Sequence, residues 1–198
     1  MRDYRHLERY LNTLQGDIYA QPPDEGHTSR AQEVIERWIS VLDGLTSILD
    51  VGCGQGFAMP MLAQHAERVE GVTLGADYQV CVEQGLSVRN ADMSFLPYAD
   101  DEFDLIFARH SLEHSPMPLL TLMEWRRVSR RWLILIVPSL SSFGFVGRNH
   151  YYVLLPDQWE ALINTAGWTV VWTEDDATEF EHRYFCEVPE GGEVSDET

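Results

Sequence analysis

The sequence predicts an α/β domain in which a mostly parallel sheet lies between two layers of helix. Three observations carry this. Short apolar, β-branched runs alternate with helical patterns through most of the chain. One such run, Ser47-Ile48-Leu49-Asp50-Val51, meets three alternating glycines, Gly52, Gly54 and Gly56, which open a helical pattern at Phe57, Met61 and Leu62. The last two strands follow each other across the short DDATEFEH loop, so a hairpin sets one antiparallel strand into the sheet near the C-terminus.

The elements follow in order. Residues 3–15 place Leu7, Tyr10, Leu11 and Leu14 on one stripe of an amphipathic helix. Residues 16–27 read as a loop from Pro22, Pro23 and their glycines. Thr28 or Ser29 caps a helix to about Leu42, with Val34, Ile35, Trp38 and Ile39 inward. After the glycine turn come a strand over 68–74, a helix over 76–83 and a strand over 86–91 that ends at Asp92. The apolar run 104–108 is a fourth strand, 117–128 a helix and 132–137 a fifth strand. Pro156 opens a helix that Gly167 stops, and 168–173 and 183–188 complete a seven-stranded sheet.

A single domain is expected over 1–188, with a helical cap (1–44) on a core (45–188). Residues 189–198 form an acidic tail without large apolar side chains, expected to be disordered. The formal charge of −18 repels phosphate backbones and anionic membranes, so neither nucleic acid nor membrane is an expected partner. The three cysteines (Cys53, Cys81, Cys186) are widely spaced and read as reduced thiols. The charged first residues lack an apolar signal core, and no long apolar window occurs later, so a cytoplasmic protein is expected.

In sheets of this kind ligands bind beyond the carboxyl ends of the strands, beside the first. The residues at those ends are Asp50 to Gly56, Thr73, Asp92, Arg109 and Ser139. A dinucleotide fingerprint needs its third glycine where Phe57 stands, which disfavours a nicotinamide enzyme.

The pattern Asp50-x-Gly52-x-Gly54-x-Gly56 resembles motif I of the class I S-adenosylmethionine (SAM) dependent methyltransferases. The stretch Asp92-Met93, Leu96-Pro97 and Phe103-Asp104 resembles that family's segment after strand three. Arg109 to His114 with Pro118, Glu124 and Arg127-Val128 is similar to its segment after strand four. Residues 149–168 resemble its substrate-side loop and following helix. The likeness covers about 47–188 and is closest to the small-molecule branch that includes quinone-biosynthesis methyltransferases. It implies a three-layer Rossmann-like methyltransferase fold. It also implies a cofactor set: Asp50 at the ammonium group, the turn Gly52, Cys53, Gly54 and Gly56 under the methionine half, Thr73 and Leu74 near the ribose, Asp92 and Met93 at adenine, and Arg109. SAM is the implied cofactor and S-adenosylhomocysteine (SAH) the product.

One position departs from the family. The end of strand two usually carries Asp or Glu on the ribose hydroxyls, and here it is Thr73, whose hydroxyl offers one neutral contact. The segment resembles cyclopropane fatty-acid synthases, which carry Thr-Leu there and a glutamine shortly after; Gln79 and Asp77 are both candidates for the missing grip.

The run His110-Ser-Leu-Glu113-His114 also has the order of an inverted zinc-protease motif. Against zinc, a strand leads into it, Pro116 and Pro118 break any continuing helix, and no third downstream ligand is obvious, so no metal is assigned. His110, His114 and Tyr151 are the catalytic candidates, and His150 is a further base; Glu113 and His114 either wall the site or brace a loop. The N-terminal cap (Tyr19, His27) and residues 143–155, with Arg148, are expected to receive a small, partly apolar acceptor. The function expected is methyl transfer to a small molecule. The alternative is a methyltransferase-like module that binds SAM or a related ligand without turnover. The sequence does not fix the oligomeric state.

Overall fold

The computed structural model describes residues 7, 9–10, 12–13, 31–139, 150–176 and 181–189. Seven strands form one sheet: β1 (Ser47–Val51), β2 (Arg68–Thr73), β3 (Val88–Asn90), β4 (Phe103–Arg109), β5 (Ser129–Pro138), β6 (Thr169–Asp176) and β7 (Glu181–Glu187). Their order across the sheet is β3-β2-β1-β4-β5-β7-β6. β1 to β5 run parallel to one another, and β7 is antiparallel to both β5 and β6. The expected single antiparallel strand is therefore β7, inserted between β5 and the edge strand β6.

The helices are α1 (Met59–Leu62), α2 (Gly75–Glu83), α3 (Pro118–Val128) and α4 (Pro156–Thr165). Proline stands in the first turn of α1, α3 and α4, where its missing N–H is not needed. Residues 31–34 are helical and run into the π-helical turn Ile35–Ile39. The expected cap helix over 3–15 is helical at each of its residues that is described; Tyr19, His27, Arg148 and most of the 143–155 loop lie outside the described residues.

Alternation along the strands builds two cores. Leu49, Val51, Ile106, Leu133, Leu135 and Val137 pack with Trp125 of α3 and Trp159 of α4 on one face. Ile48, Leu105, Phe107, Ile134 and Ile136 pack with Val34, Ile35, Trp38 and Leu62 on the other. Successive residues of β5 thus serve opposite layers, and each buried Leu, Ile or Phe contributes roughly 1.5–3 kcal/mol. Asp104 pins the lower edge of this centre. Its Oδ2 accepts from the backbone and hydroxyl of both Thr46 and Ser47, and its Oδ1 from Arg130. Burial alone would raise its pKa, but these donors hold the carboxyl below the ordinary range.

Several bounds differ from the sequence reading, each for a local reason. β3 is three residues long because it pairs only with β2, at the sheet edge. β5 extends back to Ser129 and forward to Pro138 because both β4 and β7 supply partners along it. β7 begins two residues early, at Glu181, which pairs with Pro138.

Candidate functional site

The order reverses at β1, with β2 on one side and β4 on the other, so a crevice opens beyond the carboxyl ends of β1 and β4. The glycine turn closes one side of it. Gly52, Gly54 and Gly56 have φ of 76°, 53° and 81°, the left-handed region that side chains disfavour. A Cβ on Gly52 would stand 2.3 Å from Ser111 Cβ, so the turn after β1 lies directly against the segment after β4. A Cβ on Gly54, by contrast, would meet nothing nearer than Asp77 Oδ2 at 3.9 Å. That position has room above it.

Part of the turn's backbone is already committed. The N–H groups of Gly52 and Cys53 both donate to Val72 O, at 2.9 and 3.1 Å, and that of Gly56 donates to Cys53 O. The helix expected at the turn's end begins only at Met59, so the turn rather than a helix N-terminus shapes the cradle. The Cys53 side chain points away from the crevice into a small apolar cluster with Met59 and Cys81. All three cysteines are free thiols and buried, in keeping with the reduced state expected.

Asp50 is 3% exposed, and its Oδ2 has no hydrogen-bond partner among the described residues. Burial pushes its pKa from the ordinary 3.8 to about 8, with the Cys81 sulfur adding to the effect. An unmet acceptor beside the turn is a place for a cationic donor. Thr73 is buried at the end of β2, and Leu74 caps α2 in an extended conformation. Of the two candidates for the missing carboxylate, Gln79 is exposed, whereas Asp77 is buried beside the turn and accepts from Gln55 Nε2 at 3.2 Å.

Asp92 and Met93 open the loop after β3. Asp92 Oδ1 accepts from Ser94 N at 2.8 Å, and Met93 O accepts from Trp125 Nε1 at 3.0 Å. Glu124 and Arg127 of α3 hold the rest of this loop. Glu124 accepts from Leu96 N, and Arg127 donates to Leu96 O, Tyr98 O and the Asp100 carboxylate. The Glu124 and Arg127 positions of the sequence pattern are thus braces for the acidic loop.

At the end of β4, His110 has φ of 49°, uncommon for a residue with a side chain. Its Nε2 lies 2.7 Å from Glu181 Oε1, and Arg109 donates to the same oxygen at 2.6 Å. Burial would raise the Glu181 pKa, but the His110 hydrogen bond and the Arg109 charge carry it down to about 2. Glu181 is therefore a carboxylate that only accepts, which places a proton on His110 Nε2. The side chain of Arg109, a residue the family resemblance places at the cofactor, is paired with Glu181.

Glu113 and His114 form a 3-10 turn with Leu112. Glu113 is fully buried, which lifts its carboxyl to about 8. Its main-chain oxygen accepts from the N–H groups of Tyr151 and Tyr152, so this turn does brace the segment that follows. The structure brings His150 edge-on to His114, with ring centroids 4.8 Å apart. Glu181 escaped the sequence reading because it fell in the expected loop, 71 residues from its partner. An acidic residue at the start of a final strand was the one signal there.

Residues 49–136 match the family described as "Methyltransferase domain". The match covers just under half of the chain. The matched range runs from β1 into β5 and includes the glycine turn and His110, but not Glu181 or His150. The chain is 29% identical over 133 residues to the ubiquinone biosynthesis O-methyltransferase of Hahella chejuensis, covering 59% of this chain and 56% of that protein. It is 28% identical over 143 residues to the 27-O-demethylrifamycin SV methyltransferase of Amycolatopsis mediterranei, covering 61% and 53%. It thus spans about half the length of these curated relatives. The magnesium protoporphyrin IX methyltransferase of Synechocystis, solved with bound SAH, shares the fold with a TM-score of 0.66 over 95% of this chain and 98% of that one, at 17% identity.

Proposed function

We propose that this protein is a class I SAM-dependent methyltransferase that transfers a methyl group from SAM to a small-molecule acceptor. The observation that carries the reading is the buried Asp50 Oδ2, without a hydrogen-bond partner among the described residues, beside a turn whose central glycine would meet no clash above it. That pair suits a ligand with a cationic amino-acid end, which satisfies the acceptor and lies where side chains are missing.

When bound, SAM supplies an electrophilic methyl on a positive sulfur. The chain's own residues then bind, orient and accept a proton. Asp50 takes the ammonium and ionises as it does so, since its burial penalty is offset by an opposite charge. Asp77 and Thr73 together replace the carboxylate usual at the end of strand two, with Gln55 holding Asp77 in place. Asp92 reads an exocyclic amine while Met93 offers an apolar surface to the ring. On the acceptor side, His110 serves as the base for a hydroxyl nucleophile through Nδ1, and Glu181 is its positioning residue. A proton taken at Nδ1 creates an imidazolium already paired with a carboxylate. His114 and Tyr151 line the same side.

The two curated relatives named above are small-molecule methyltransferases by their descriptions, which supports an acceptor of that class. The acidic composition disfavours nucleic acid. A cytoplasmic location is part of the proposal; no helix among the described residues is long and apolar enough to cross a membrane. Thr73 in place of a carboxylate favours one other reading, a module that binds without turnover. Incubation of purified protein with methyl-labelled SAM and a metabolite extract separates the two: label in a small-molecule product supports the enzyme, and binding with no labelled product supports the module.

A further inference from the structure

Glu113, His114 and His150 bring one carboxylate oxygen and two imidazole nitrogens within 4.8 Å of one another. We propose that these three side chains form a binding site for a divalent transition-metal ion of the zinc class. The donor set is right for it: two imidazoles and one carboxylate leave a further position for water or an oxygen ligand. The sequence, by contrast, pairs His110 with His114 and offers no third ligand. In the structure His110 is turned to Glu181, and the third ligand comes from His150, 36 residues beyond His114 in the chain.

A second observation points to a cation independently of the grouping. Glu113 has no exposed surface, yet neither of its carboxylate oxygens makes a hydrogen bond among the described residues. A buried carboxyl with every lone pair unmet is costly, and coordination satisfies it. The neighbouring ring nitrogens stand too far away to satisfy it directly, with His110 Nδ1 3.6 Å and His114 Nε2 4.0 Å from Glu113 Oε1. An ion between them bridges such a gap. With bonds of about 2.0–2.1 Å, ligand atoms around tetrahedral zinc stand roughly 3.3 Å apart, so the cluster closes by somewhat over an ångström at its widest.

The backbone holds the ligands ready. Glu113 and His114 sit on one 3-10 turn, and the Tyr151 N–H donates to Glu113 O at 2.8 Å, which fixes the residue after His150 against that turn. The His114 side chain is 25% exposed, so an ion has a path in from solvent. The site adjoins His110 through Glu113, which places an oxygen ligand of the ion beside the His110 ring.

The test uses the full chain stripped with a chelator and titrated with zinc, with no SAM or acceptor present, so its outcome does not depend on the proposed activity. We expect one zinc per chain by metal analysis after dialysis. Glu113→Gln and His150→Ala should each weaken binding more than about tenfold. Cobalt substituted at the site should absorb as a nitrogen–oxygen complex, without the thiolate charge-transfer band that Cys53 and Cys81 would give. Should either variant fail to fold, His114→Ala, at a partly exposed position, gives the same readout. Substoichiometric zinc, equal binding in the variants, or a thiolate cobalt spectrum would overturn the site.

Discussion

Glu181 Oε1 lies 2.7 Å from His110 Nε2, joining the first residue of β7 to the residue that follows β4. Arg109 shares that oxygen, so three side chains from two distant parts of the sequence meet at one buried atom. The carboxylate holds a proton on Nε2 of His110.

Glu181→Gln should therefore leave Arg109 buried beside a neutral partner and cost about 3 kcal/mol or more at pH 7. The folded-state pKa is depressed from 4.5 to about 2, so the wild-type advantage is full above pH 4.5 and fades as pH falls toward 2. Urea unfolding of both proteins at pH 7 and pH 3 checks the sign. In turnover the same variant should lower kcat by roughly 100-fold or more, with KM for SAM little changed.

Asp50 carries the opposite dependence. Its folded-state pKa is raised from 3.8 to about 8, so its contribution to stability is present below pH 3.8 and is lost as pH rises through 8. Thermal melts of the free protein should show Asp50→Asn gaining on wild type between pH 5 and pH 8.5. Binding of SAH should draw the carboxyl into its charged form. Calorimetry at pH 7 in two buffers of different ionisation enthalpy should then report a proton released on binding, which Asp50→Asn abolishes.

Gly52 tests the contact between the turn and the segment after β4. A Cβ there would stand 2.3 Å from Ser111 Cβ at a φ of 76°, so Gly52→Ala should destabilise by roughly 1–3 kcal/mol or more. Ser111→Gly in the same chain removes the clash and leaves only the backbone strain. The double variant should recover part of the loss, measured as unfolding free energy; additive effects would contradict the contact.

The strands of this sheet were readable because each is an apolar run between turn residues, and the glycine turn because three left-handed positions leave a spacing no side chain would keep. The helical segment 117–128 and the apolar run 132–137 also separated α3 from β5. Pairing across the sheet stayed hidden. Whether Asp77 or Gln79 faces the turn depends on which side of α2 is turned toward Gln55, and two residues of offset on a short helix decide it. Glu181 and His150 became site residues only through the insertion of β7 beside β5 and the hydrogen bonds from Tyr151 and Tyr152 to Glu113, neither of which leaves a local pattern.

Asp92→Asn separates a loop role from a binding role. An amide oxygen can still accept from Ser94 N, so the free protein should keep its stability. The amide nitrogen cannot accept from an exocyclic amine. SAH affinity should fall by about 1–3 kcal/mol, read by calorimetry.

The most direct measurement is an SAH titration of wild type and Gly54→Ala, paired with melts of the free proteins. The added methyl meets nothing nearer than 3.9 Å in the free chain, so stability should fall only by the strain of the left-handed φ of 53°, roughly 1–2 kcal/mol. It stands where the amino-acid end of the ligand is placed, so affinity should fall more than about tenfold, or roughly 1.4 kcal/mol. Wild-type protein that does not bind SAH, or a Gly54→Ala protein that binds it equally well, would contradict the account.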